Sequence, residues 1–299
     1  MINALRQARD DNRRAPDDND DVMLVRRRMR LPWIAATCMA WVALAVLACA
    51  AGPALFHISA AATNVADAYA APSAAHWLGT DALGRDELAR LLVGGRITLS
   101  VGAVAAIVAM VIGTVYGATA GYYGGWFDTL LMRVVDVFLS VPTLFLLLFL
   151  AAMFHGNLVT LMIVIGATSW LGPARLVRGE VLTLKERLYV EAARSLGAGD
   201  GRIIFRHLVP NAAGTIITTT TFMVASAMLA ETALSYLGIG VRAPMPSWGN
   251  LLSGAQSDIF AGAYWLILPP GLAILTTVCS FNFIGDWLRE RQERALADP

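Results

Sequence analysis

Few residues in this chain have the type and spacing that chemistry requires. The run Gly197-Ala198-Gly199-Asp200-Gly201 has the glycines of a phosphate loop, yet Gly-x4-Gly-Lys-Ser/Thr occurs nowhere. A Gly-x-Gly fragment without a preceding strand is a weak signal. The four histidines are scattered and no His-Glu-x-x-His is present, so no zinc site is indicated. Gly-x-Ser-x-Gly is also missing. Cys38, Cys49 and Cys279 fall within apolar runs. The first two stand about 16 Å apart at helical rise, beyond disulfide reach, and no Cys-x-x-Cys exists to suggest a redox pair. Two features remain. One is Glu231, the one acid well inside an apolar run; the other is the charged, glycine-punctuated segment 191–211, EAARSLGAGDGRIIFRHLVPN.

The elements that hold these features follow from composition. The chain has 299 residues, 57% of them hydrophobic and 15% charged, which places it with multi-span membrane proteins. Five stretches carry no charge: 31–66, 97–127, 137–174, 207–230 and 259–285. A spanning helix needs about 20 apolar residues. Four stretches therefore hold one helix each, and 137–174 holds two, broken at His155, Gly156 and Asn157. The apolar runs are continuous rather than alternating, which argues against a barrel and for helices. The expected fold is an all-α membrane protein with six transmembrane helices, near 32–56, 97–121, 134–154, 158–176, 213–238 and 263–285.

Charge sets the orientation. Arg26, Arg27, Arg28 and Arg30 abut the first helix, segment 175–206 carries seven Lys or Arg against four acids, and Arg289, Arg291 and Arg294 follow the last helix. The positive-inside tendency makes all three regions cytoplasmic, which six spans with both termini inside satisfy. The expected parts are a disordered cytoplasmic tail at 1–31, the first span at 32–56, a periplasmic loop at 57–96, a transmembrane domain at 97–285 with a cytoplasmic loop at 175–210, and a cytoplasmic tail at 286–299. The first apolar run is too long, behind a leader with six Asp, for a cleaved signal peptide, so a retained helix is expected. A net charge of +1 gives no reason to expect nucleic acid.

Local patterns refine this picture. Gly113, Gly117 and Gly121 recur every four residues on the second span, a stripe that lets helices approach closely. Asp81 is placed to cap a short helix, with Asp86, Glu87 and Arg90 on a solvated face. Tyr122, Tyr123 and Trp126 suit an interfacial belt, Arg133 and Asp136 are spaced to pair, and Pro142 should kink the third helix. Pro244, Pro246, Trp248 and Gly249 predict an irregular outer loop over 239–262. Glu231 either lines the outer part of a cavity or gate, or is wetted at the interface and paired with Arg242.

Within the charged segment, Val181, Leu184, Leu188 and Ala192 have helical spacing. Gly197, Gly199 and Gly201 should end that helix, Asp200 should cap the next, and RIIFRHL should continue to Pro210. Two short helices at an angle, with apolar knobs among charges, suit docking against another protein.

The run Glu191-Ala192-Ala193, three residues, Gly197, nine residues and His207-Leu208-Val209-Pro210 resembles the EAA loop of ABC importer permease subunits. The Arg-His-Leu-x-Pro-Asn ending is similar to the oligopeptide and dipeptide permease branch. GTDALGRDELARLLVGGRITLSVG, GYYGGWFDTLLMRVVD, SWLGPARLVRGEVLTLKERLYVEAARSLGA, ALSYLGIGVRAPMPSWGNLLS and FNFIGDWLRE, in that order, resemble the second permease subunit of peptide importers. The resemblance implies that Glu191, Ala192, Ala193, Gly197, His207, Val209 and Pro210 form a cytoplasmic coupling helix between spans 4 and 5 that docks into an ATPase. It also implies a non-catalytic subunit without a bound cofactor, with ATP and Mg held by two partner ATPase subunits. A second homologous permease and a periplasmic or lipid-anchored binding protein complete the expected assembly. Local runs such as GGRITLSVG favour oligopeptides; dipeptides, glutathione and nickel are the substrates of related permeases. A standalone carrier or channel and a membrane scaffold are the rival classes. The near absence of charge in the spans argues against an ion-coupled carrier.

Overall fold

Among the described residues each of the five charge-free runs holds at least one helix, as a backbone that finds no hydrogen-bond partner in lipid requires. The computed structural model describes residues 32–55, 59–154 and 157–297, so the 1–31 tail and the His155-Gly156 break lie outside the described residues. In chain order the helices are α1 (Pro32–Leu55), α2 (Glu87–Tyr123), α3 (Gly125–Leu139), α4 (Thr143–Met153), α5 (Leu158–Ser169), α6 (Leu171–Leu184) and α7 (Leu188–Ser195). They continue with α8 (Asp200–Arg202), a π-helical turn (Ile203–Leu208), α9 (Val209–Asn211), α10 (Ala213–Tyr236), α11 (Trp248–Asp258) and α12 (Leu268–Ala297). No strand occurs among the described residues.

Four helices, α1, α2, α10 and α12, are long and apolar enough to cross a membrane, and counting each bent pair α3–α4 and α5–α6 as one span brings the number to as many as six. The α3–α4 pair bends by 81° at Pro142, which precedes α4 and has no N–H to carry one helix into the next. The α5–α6 pair bends by 46° at Trp170, whose ring lies 4.6 Å from that of Tyr116 on α2.

Four expectations about these elements are corrected. Helix α2 begins at Glu87, not near 97, because Asp86 rather than Asp81 is its cap, accepting from the Ala89 N–H at 2.9 Å. Asp81 instead accepts the N–H groups of Leu83 (3.0 Å) and Arg85 (2.9 Å), and its carboxylate pairs with the Arg85 and Arg90 guanidiniums. Glu87 is buried beside Arg90 and does not lie on a solvated face. The loop 239–262 is irregular only in part: Ser247 and Asn250 form a reciprocal capping box that starts α11.

Helix α2 runs through the middle, packed on α6, α10, α5 and α1. Its glycine stripe explains the closest of these contacts. A Cβ at Gly113 would sit 2.7 Å from Pro173 Cβ, one at Gly117 would overlap the Ala174 carbonyl oxygen, and one at Gly121 would sit 2.9 Å from the Arg178 carbonyl oxygen. Only glycine at these three places lets α2 and α6 approach at backbone contact. Helices α1, α4 and α12 leave large apolar side chains exposed, among them Leu47, Phe145 and Leu272, as expected where lipid is the solvent.

Candidate functional site

The charged segment is held rigidly under α2. Helix α6 presents Val177 and Val181 to α2, and its Arg178 guanidinium makes two hydrogen bonds of 2.5 Å to the Asp128 carboxylate on α3. A bidentate pair of this kind fixes direction as well as distance. At the end of α6, Lys185 Nζ donates to the Gly121 carbonyl oxygen at 2.9 Å, satisfying one of the last carbonyls of α2. The chain then leaves helical geometry at Arg187 (φ −79°, ψ 144°). Val181, Leu184, Leu188 and Ala192 therefore do not share one helix, as their spacing predicts; Val181 is buried whereas Leu188 is 82% exposed.

Helix α7 buries only Val190. Glu191 and Ala192 face outward, and Ala193 is half-buried. The helix ends in a Schellman motif: the Ala198 N–H donates to the Ala193 carbonyl and the Gly197 N–H to the Arg194 carbonyl, both at 3.0 Å. Gly197 sits at φ +81°, which that motif requires and other residues adopt only with strain. Asp200 is the first residue of α8 rather than its cap, and its carboxylate accepts from the Tyr122 hydroxyl at 2.7 Å. The Arg194 guanidinium stands 5.9 Å from the Tyr122 ring centre.

Ile203, Ile204 and Leu208 then return to the core formed by Met110, Tyr122, Val177, Val181 and Val190. They do so through a π turn, in which the Val209 N–H reaches the Ile204 carbonyl. Pro210 has no N–H to donate and its ring crowds the carbonyl four residues back; the wide turn just before it absorbs both effects. His207 and Val209 are half-buried and Pro210 is exposed. The two halves of the motif therefore share one core through Val190, Ala198 and Val209. Large apolar side chains stand on the outside of the segment: Leu188 at 82%, Leu196 at 89% and Phe205 at 53% exposure.

Glu231 lies elsewhere, about 27 Å along α10 from Ala213. It is fully buried, and its carboxylate accepts from Thr98 Oγ1 on α2 at 2.9 Å and from Ser235 Oγ one turn later at 2.6 Å. It is neither wetted nor paired with Arg242. The same hydroxyls hold the 239–248 region: Thr98 Oγ1 accepts the Trp248 N–H at 3.2 Å and Ser235 Oγ accepts the Val241 N–H at 2.9 Å. Glu231 thus ties α2, α10 and the start of α11 together. Sequence reading missed Thr98 and the Asp128–Arg178 pair, partners 133 and 50 residues apart that no local pattern joins.

The described residues thus form an all-helical domain, several of its helices apolar enough to cross a membrane, with a charged segment packed against α2. The model of the family described as binding-protein-dependent transport system inner membrane component matches residues 113–298, and the chain belongs to that family. It is 38% identical over 276 residues to the oligopeptide transport system permease protein OppC of Bacillus subtilis, covering 92% of this chain and 89% of the relative. It is 39% identical to the dipeptide transport system permease protein DppC of the same organism, over 82% of this chain and 77% of that one. Its identity to the glutathione transport system permease protein GsiD of Pectobacterium atrosepticum is 41%, over 75% of this chain and 74% of the relative.

Proposed function

We propose that this chain is the second permease subunit of an ATP-driven peptide importer of the bacterial inner membrane. In this reading it has six spans, with both termini cytoplasmic and the 175–210 loop cytoplasmic from Lys185, where α6 ends. It pairs with a homologous permease, two ATPase subunits that bind ATP and Mg, and a periplasmic or lipid-anchored binding protein. The chain itself is non-catalytic.

The observation that carries the reading is the ridge of Leu188, Glu191, Leu196 and Phe205 on a segment whose other side is locked to α2. Exposed apolar side chains on a water-facing segment mark a protein interface, and a rigid attachment lets a push on the ridge reach α2 and α10. Gly197 shapes the ridge, Pro210 directs the chain into α10, and Glu191 offers a charge-assisted contact. The substrate class follows from the relatives, two of which are named for peptides and one for glutathione, itself a tripeptide. The burial of Glu231 among hydroxyl donors fits a structural tie better than an ion-coupling site, which disfavours the carrier reading.

Reconstitution of the purified assembly in liposomes with its binding protein tests the proposal. ATP-dependent uptake of a labelled tripeptide is expected; uptake that needs no ATP and follows an ion gradient would contradict it.

A further inference from the structure

A cluster outside the coupling segment has no assigned role. On the C-terminal half of α3, Arg133 lies 3.6 Å from Asp136, and Asp136 also pairs with Arg175 of α6. The three side chains are exposed by 76%, 44% and 48%. They are surrounded by exposed apolar neighbours: Leu130, Val134, Val137 and Leu176.

Their depth makes the exposure informative. Ala174, next to Arg175, abuts Gly117, and Gly117 lies about 9 Å along α2 from Tyr123 at helical rise. Tyr123 and the neighbouring Trp126 are exposed aromatics of the kind that mark a membrane interface. The cluster therefore sits inward of that belt, where charges are tolerated only if they face a water-filled cavity or the interior of an assembly. The other ion pair of these helices behaves differently: the Asp128 carboxylate is buried against Arg178, closing a contact between α3 and α6. Asp136 has two cations around it, which leaves the cluster with an excess positive charge and Arg133 mostly open.

We propose that Arg133, Asp136 and Arg175 line the aqueous route by which substrate leaves the membrane, and that Arg133 meets the carboxylates and carbonyl oxygens of a passing peptide. This rests on the reading of the chain as a peptide permease. Arg133 acts on selectivity: an open guanidinium favours acidic and neutral peptides over basic ones.

Two measurements on the assembled transporter test it. In the first, Arg133→Cys is made in a background lacking Cys38, Cys49 and Cys279, with Leu272→Cys as a lipid-facing control, and a membrane-impermeant thiol reagent is applied to inside-out vesicles. Arg133→Cys is expected to react and Leu272→Cys to be spared. Equal protection of both would overturn the proposal, whether lipid or the sister permease covers the site. This arm does not depend on what the substrate is, so it stands even if no peptide is imported.

In the second, uptake of Ala-Glu-Ala is compared with that of Ala-Lys-Ala. Arg133→Glu is expected to lower the acidic-to-basic ratio by at least about tenfold, because reversing the charge changes the sign of its contact with both peptides. An unchanged ratio in a variant that still transports would overturn the proposal.

Discussion

Gly117 on α2 and Ala174 on α6 are in backbone contact, with the Ala174 carbonyl oxygen occupying the place where a side chain on Gly117 would begin. Ala174 immediately precedes the 175–210 segment, so α2 cannot shift without moving α6. Gly117→Ala is expected to force the helices apart and cost about 1–3 kcal/mol, as overpacking does. Gly179→Ala, at a position with nothing within 4 Å, should be neutral or stabilising. Thermal unfolding of both variants in one detergent measures this, and equal melting points would refute the packing role.

Gly197 differs from Gly117 because nothing lies within 4 Å of its missing Cβ; its constraint is the φ of +81°. Gly197→Ala should cost about 1–2 kcal/mol of local helix-end stability, and Gly197→Asn should cost less, since Asn tolerates the left-handed region. Gly197→Asp is expected to insert normally yet abolish ATP-coupled uptake, as is Glu191→Lys, which reverses the charge on the ridge. Wild-type uptake in both would remove the coupling role.

Glu231→Ala should leave the Thr98 and Ser235 hydroxyls without their acceptor and cost about 1–3 kcal/mol. Glu231→Gln keeps an acceptor oxygen and should cost less. Because those hydroxyls also hold the Val241 and Trp248 N–H groups, protease sensitivity of the 239–248 region should rise in the Ala variant. If cleavage there is unaltered, Glu231 does not anchor the loop.

The Asp81 carboxyl gives a pH dependence outside the spans. Burial pushes its pKa up, but the hydrogen bonds from Arg85 and the charge of Arg90 outweigh this and hold it below the ordinary value. A depressed folded pKa means stability that is present above the unfolded value, about 3.9, and lost as pH falls through the lower folded value. Between pH 7 and 5 the gap in melting point between wild type and Asp81→Asn should stay constant; below about pH 4 it should shrink. A gap that does not change with pH would refute this.

Much of the fold was legible because burial in lipid needs long apolar runs, and Pro32–Leu55 and Ala213–Tyr236 match their predicted spans almost residue for residue. The glycine stripe was legible as a close-packing face, though not its partner, since nothing local links Gly117 to Ala174. The glycine breaks of segment 191–211 were visible in its residue types, while its shape was not. Helical spacing runs straight through Lys185–Arg187, and only the contact of Lys185 with Gly121 shows why the chain turns there. Glu231 was visible as an unusual acid, but its donors come from α2 and from the next turn of α10, and the sequence offered Arg242 as the nearer charge. Glu87 was misread for a related reason, since an i, i+3 charge pattern looks the same on a wet face as in a buried cluster.

Docking of the Leu188–Phe205 ridge onto an ATPase is the central claim, and site-specific crosslinking at Leu196 in native membranes tests it most directly. A photoreactive residue at Leu196, the most exposed apolar position of the ridge, should give an adduct that contains an ATPase subunit. The same probe at the buried Val190 should give none. Adducts at Leu196 with lipid alone, or with no protein in a membrane that holds the intact transporter, would contradict it.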